Sequence, residues 1–139
     1  MPEQMTIPIG LVSSDNFDVT ESDTIAAQVR CDLPLVLGTF VLMKWMESVA
    51  GFMVQPYLLE GRVTVGARID LEHLAPSPIG QRIHIESTLV GIEGAFLLFD
   101  IFAHDNLELI GRATHKRAVI AKPTLERIIL RKCRKTKNG

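Results

Sequence analysis

Cysteine is nearly absent: Cys31 and Cys133 are the only two, far apart and outside any CxxC or Cys/His spacing. They signal neither a disulfide framework nor a zinc site, and they suit a reducing cytoplasm. Aromatic residues are also scarce, at 6%, and none interleave with the cations near the C-terminus, so a nucleic-acid module is disfavoured. No long apolar run is free of charge. Residues 40–54 come closest, but they contain Lys44 and Glu47, each costing about 2.5 to 3.5 kcal/mol at the centre of a membrane-spanning helix. No membrane span is expected. The N-terminal MPEQMTIPIG has Glu3 where a secretory leader carries cations, and no apolar core follows.

Net charge is also small, at -1 over 139 residues, but its distribution is uneven. Residues 122–139 hold seven cations against Glu126, a local charge of +6 that leaves -7 on the rest. This tail is expected to be solvated and frayed, although such a cluster could also reach for phosphates. With 47% apolar and 22% charged residues, the chain suits one globular domain spanning 1–139.

The segment GTFVLMKWMESVAGFMVQPYL, residues 38–58, is apolar around most of a helical circumference, which predicts a buried helix. Met43, Trp45, Met46 and Met53 belong to its core stripe, and Gly51 suggests close approach of another backbone. Four strand-like segments follow, at about 62–74, 81–91, 95–104 and 107–121, separated by PSPIG, IEG and HDN turn signals and reading as a meander. Residues 5–19 offer another strand, and TESDTIAAQV a short helical turn starting near Thr20 or Ser22. The economical architecture is α+β, with one antiparallel sheet curled around one apolar helix. One sheet cannot cover such a helix, so a homodimer is expected.

Read with a period of two, Val63, Val65, Ala67, Ile69, Leu71 and His73 share one strand face, while Thr64, Gly66 and Arg68 share the other. An imidazole therefore ends an apolar face. Of the other histidines, His84 and His104 read as surface residues and His115 as a satisfied core residue. Glu47 stands in the middle of the apolar helix. A buried carboxylate costs several kcal/mol unless paired and suits a general base; facing solvent, it would instead pair with Lys44.

These residues carry a resemblance. Thr39 lies eight residues before Glu47, Gly66 seven before His73, and GRATHKRAVI runs from Gly111 to Ile120. In that spacing the chain resembles the fluoroacetyl-CoA thioesterase family of hotdog-fold acyl-CoA hydrolases over about residues 15–121. It departs from the family's closing motif at Ala113 and Lys116. The resemblance implies a hotdog fold and hydrolysis of an acyl-CoA without metal or redox cofactor, CoA being part of the substrate. It also implies a catalytic set of Thr39, Glu47 and His73, with Gly66 and Arg117 at the acyl end. Glu47 would act either as base on water or as nucleophile.

Eight residues of straight helix span about 12 Å, so Thr39 and Glu47 should not touch if both lie within it; either Thr39 sits in the entry loop and folds back, or, as the apolar helix favours, the site is shared across a dimer. The family's lid carries two phenylalanines, whose places fall on Arg30 and Leu33, implying a wetter and less selective mouth. The alternatives are a noncatalytic acyl-CoA or acyl-ligand binding protein, supported by the apolar helix and basic tail but not by Glu47, and an enoyl-CoA hydratase, for which no D-x-x-x-x-H arrangement is found.

Overall fold

The computed structural model describes residues 6–138. Residues 1–5, which include half of the stretch read for a leader and the first residue of the expected N-terminal strand, lie outside the described residues, as does residue 139. In order, the elements are β1 (Val12–Asp18), α1 (Ile25–Gln28), α2 (Thr39–Val54), β2 (Arg62–His73), β3 (Arg82–Glu93), β4 (Phe96–His104), β5 (Leu109–Ala121) and α3 (Lys122–Asn138).

Gly38, extended in backbone, caps α2, its carbonyl accepting from the amides of Val41 and Leu42. At the other end Gln55–Tyr57 tightens into a 3-10 turn, because Pro56 has no amide to continue the helix. Leu42, Met46, Ala50 and Val54 are fully buried, with Trp45, Val49 and Met53 beside them. The helix is not buried all round, however: Lys44 is exposed and Phe52 is 77% exposed. A single sheet wraps the broad apolar face and leaves the opposite side open.

The sheet runs β1-β3-β4-β5-β2, with every neighbouring pair antiparallel. This is the α+β hotdog layout expected from the sequence, with one correction. Only β3, β4 and β5 form a meander, while β2 pairs with β5 at the far edge. The link between β2 and β3 contains Pro76 and Pro78 and lies along the approach to α2, where the Leu37 amide donates to the Ser77 carbonyl at 2.9 Å. Inward residues Ile83, Ile85, Leu89, Leu97, Phe99 and Ile101 close the core beneath the helix, and Phe17 of β1 stacks on Trp45 with centroids 4.8 Å apart.

Two further expectations are corrected. Gly66 pairs with Arg117 and Arg68 with Lys116, leaving Ala67 unmatched in a β-bulge. The extra residue switches strand parity, so Thr64 and Gly66 face α2 before it, and Ile69, Leu71 and His73 face α2 after it. Val63 and Val65 point the other way. The tail is also not frayed: it forms α3, none of whose residues is buried. Leu125, Ile129 and Cys133, four residues apart, form one stripe of the helix, with Ile129 and Cys133 exposed.

Candidate active site

Thr39 is the first residue of α2 and His73 the last of β2. Backbone bonds on both sides bring them together. Gly38 donates to the Asp23 carbonyl and Leu37 to Ser77, fixing the helix start, while Leu74 donates to Ile110 and fixes the strand end. Ser77 is itself braced, its hydroxyl donating to Asp105 at 2.9 Å. Thr39 Oγ1 and His73 Nδ1 then lie 2.8 Å apart. His73 Nε2 is buried with no hydrogen-bond partner among the described residues, an unusual state for a polar atom unless a further group is to meet it. Burial lowers the His73 pKa below the ordinary value, partly offset by the Ala75 backbone, so the ring is neutral near pH 7. Because a hydroxyl can donate or accept, the Thr39 contact permits either tautomer.

Two turns along α2, Glu47 faces a second cluster. Its side chain is 43% exposed and its Oε1 lies 3.4 Å from Arg117 NH1. Glu47 is half-buried and pairs with Arg117, not with Lys44 as the solvent-facing alternative had it. Arg117 is buried and bonded on several sides, with Nε donating to the Thr64 hydroxyl at 2.9 Å and NH2 to the Thr64 carbonyl at 3.1 Å. Its NH1 also lies 3.2 Å from His115 Nε2. Gly66 sits directly under the carboxylate, where any Cβ would collide with Glu47 Oε1. Gly51 makes room for the Arg117 guanidinium, which a Cβ would approach to 3.2 Å, rather than for another backbone as the sequence suggested.

His115 is buried as expected, but it is more than core filling. Its Nδ1 lies 2.7 Å from the Arg68 carbonyl and must donate to it, which leaves Nε2 as the acceptor for Arg117. Burial, opposed by the Arg68 carbonyl, lowers its pKa, and the Arg117 charge adds to that. Thr64 and His115 were both missed as site residues. The signal for His115 was its parity with Arg117, two residues on in one strand.

The residues expected to act as one triad thus form two pairs in the chain, Thr39 with His73 and Glu47 with Arg117. Between α2 and the edge strand β2 a cavity of about 230 Å³ is lined by Glu47, Gly51, Phe52, Gln55, Thr64 and Arg117. The two lid positions make local bonds. Arg30 makes an exposed bidentate ion pair with Asp32 at 2.8 and 2.9 Å, and partly buried Leu33 turns back to bond the Arg30 carbonyl. Among the described residues no cluster of His, Cys, Asp or Glu could hold a metal ion, and no helix is long and apolar enough to cross a membrane.

Residues 19–123 match the family described as fluoroacetyl-CoA-specific thioesterase (FlK). The chain belongs to that family. One curated relative, the fluoroacetyl-CoA thioesterase of Streptantibioticus cattleyicolor, is 34% identical over 89 residues, covering 64% of each chain. The match therefore spans just under two thirds of that relative's length. The solved structure of the fluoroacetyl-CoA thioesterase FlK superposes with a TM-score of 0.86 at 27% identity, covering 91% of this chain and 97% of that one. A hypothetical protein of Thermus thermophilus, a thioesterase superfamily member, shares the fold with a TM-score of 0.92 at 23% identity, over 98% and 100% of the two chains.

Proposed function

We propose that the protein is an acyl-CoA thioesterase in which Thr39, Glu47 and His73 carry the reaction. The observation that carries this reading is the buried, unpartnered Nε2 of His73, on a ring whose other nitrogen is held by Thr39. Family membership supports the reaction class. In the proposed cycle, Glu47 takes a proton from a water that adds to the thioester carbonyl, neutral His73 donates a hydrogen bond from Nε2 to the carbonyl oxygen, and as the C–S bond breaks the proton held by Glu47 passes to the departing thiolate, which restores the carboxylate. Thr39 donates to Nδ1 and so holds the ring in that tautomer. Glu47 suits the base because it is half exposed, with room for water, while Arg117 and the bare backbone of Gly66 fix its position. Arg117 forms the wall of the acyl end, and Arg30 and Leu33 border the mouth. CoA enters as part of the substrate, and hydrolysis asks for no metal or redox group.

The working form in this proposal is a cytoplasmic homodimer. Its support is the edge strand β2, twelve residues long and the last in the sheet among the described residues, with Phe52 exposed beside it. Such an edge invites a second copy. Glu47 and Gly66 lie on that side, so the second copy would help close the site. The two exposed thiols, Cys31 and Cys133, suit a reducing compartment. The test is release of free thiol from a panel of acyl-CoAs. Turnover is the expected result, and tight acyl-CoA binding without thiol release would favour a noncatalytic binding protein.

A further inference from the structure

We infer that α3 docks along the surface of a bilayer rich in anionic lipid, its cations meeting the headgroup phosphates and its aliphatic side chains entering the boundary between headgroups and acyl chains. The family match ends at residue 123, so nearly all of this helix lies beyond the matched region.

The helix stands apart from the body. It starts where the Lys122 amide donates to the Gly61 carbonyl at 2.8 Å, and none of its 17 residues is buried. At 1.5 Å per residue it is about 25 Å long. With about 100° of rotation per residue, its side chains sort into two sides. Leu125, Ile128, Ile129 and Cys133 fall within an arc of about 140°, and Arg127, Arg131, Arg134 and Lys135 within about 100° on the other side. Ile128 and Ile129 are 45% and 52% exposed. No cation of α3 enters an ion pair among the described residues.

Charge selects an anionic surface. Residues 122–139 carry +6 and the rest of the chain -7, so such a surface draws the helix in and turns the body away, which fixes one orientation. The apolar arc selects a bilayer over a protein. Lys132 lies within that arc, between the directions of Ile128 and Leu125. A dry seam against another protein would bury its ammonium, which is costly without a partner. At a bilayer the stem stays among the aliphatic groups while the amine rises to the phosphates. Two copies of α3 packed together would set +6 against +6. Nucleic acid would leave the isoleucines uncovered, and the helix has no aromatic ring to stack on a base.

The experiment is sedimentation of the purified full chain with vesicles of phosphatidylcholine alone or mixed with phosphatidylserine, at low and high salt, with light scattering of the protein by itself. The variants are Arg131→Gln with Arg134→Gln, and Ile128→Ser with Ile129→Ser. Because α3 places no side chain in the core, both should melt like the wild type. The expected result is binding only where phosphatidylserine is present, weakened by salt. Each arginine removed should cost about fivefold in affinity, and the paired isoleucine change about tenfold or more although every cation remains. Equal binding to phosphatidylcholine alone, no binding to either vesicle, or affinity unmoved by the isoleucine change would overturn the inference. A drop in particle mass on the isoleucine change, without vesicle binding by the wild type, would assign the helix to a second copy of the chain instead.

Discussion

Each nitrogen of the Arg117 guanidinium is engaged by protein, and this makes the residue a fixed wall rather than a mobile arm. It holds Glu47 on one side and is held by Thr64 and His115 on the other. Glu47→Gln or His73→Ala should therefore lower kcat by about 10²-fold or more, the range for losing general acid or base help or an oxyanion donor, without melting the sheet. Steady-state rates with a thermal melt check this, and full turnover by both variants would remove the assignment. His115 adds a pH dependence whose sign follows from its lowered pKa. Above the ordinary histidine value of 6.5, folded and unfolded chains both carry it neutral, and it adds no pH dependence. Below that value the unfolded chain takes up a proton that the buried ring resists, so stability falls as pH drops toward the depressed folded pKa. The melting temperature should fall between pH 7 and 5, and His115→Gln should flatten that slope even if it melts lower at pH 7. Melts of both proteins across that range provide the measurement.

Among the elements, β2 shows what sequence periodicity could and could not convey. The helix and all four later strands were legible from period and turn residues, whereas Thr39, Glu47, Gly66 and His73 came together as a set only through the family resemblance. The facing of β2 was misread, because alternation carried straight through Ala67 assigns Thr64 and Gly66 to the outer face, whereas the bulge turns them inward. The local cue was Gly66 itself, since a glycine inside a strand pattern marks a bulge or a close approach. The meander failed for a related reason: strand order depends on contacts distant in sequence, and the link with Pro76 and Pro78 resembled a turn. In α3 the four-residue apolar spacing was present but was outweighed by charge.

The bulge also leads to a prediction. Deleting Ala67 would restore plain alternation and keep both Gly66 and His73 facing α2, so the sheet should survive. The carbonyl of Arg68, which now meets His115, would be drawn into the ladder, loosening the hold on Arg117. The expected outcome is a melting point within several degrees of wild type and a kcat about 10- to 100-fold lower, as suits slight misplacement of a reacting group. A deletion variant with unchanged kcat would show that the bulge has no bearing on the site.

For the whole molecule, the β2 edge and the exposed Phe52 predict a particle of twice the 15.4 kDa chain mass in light scattering at micromolar concentration. A well-behaved monomer would contradict the shared-site arrangement. Arg30, exposed and paired with Asp32, is charged and hydrated, so it would not act as an apolar gate at the proposed mouth. Preference for fluoroacetyl-CoA over acetyl-CoA in kcat/KM should stay well under about 10⁴-fold, because pockets of this type separate small apolar groups by only about 10- to 200-fold per methylene.

The placement of charge has a physical consequence of its own. With +6 on the C-terminal segment that forms α3 and -7 on the remaining residues, a nearly neutral chain becomes an electric dipole, its positive end an exposed helix set against a negative body. Such a particle orients in a field, and at low ionic strength it attracts its neighbours end to body, an effect that fades once the Debye length drops below about 10 Å near 0.1 M salt. It should also be held at pH 7 by both cation and anion exchangers, each resin gripping the opposite pole, which no protein of evenly spread charge near -1 would do.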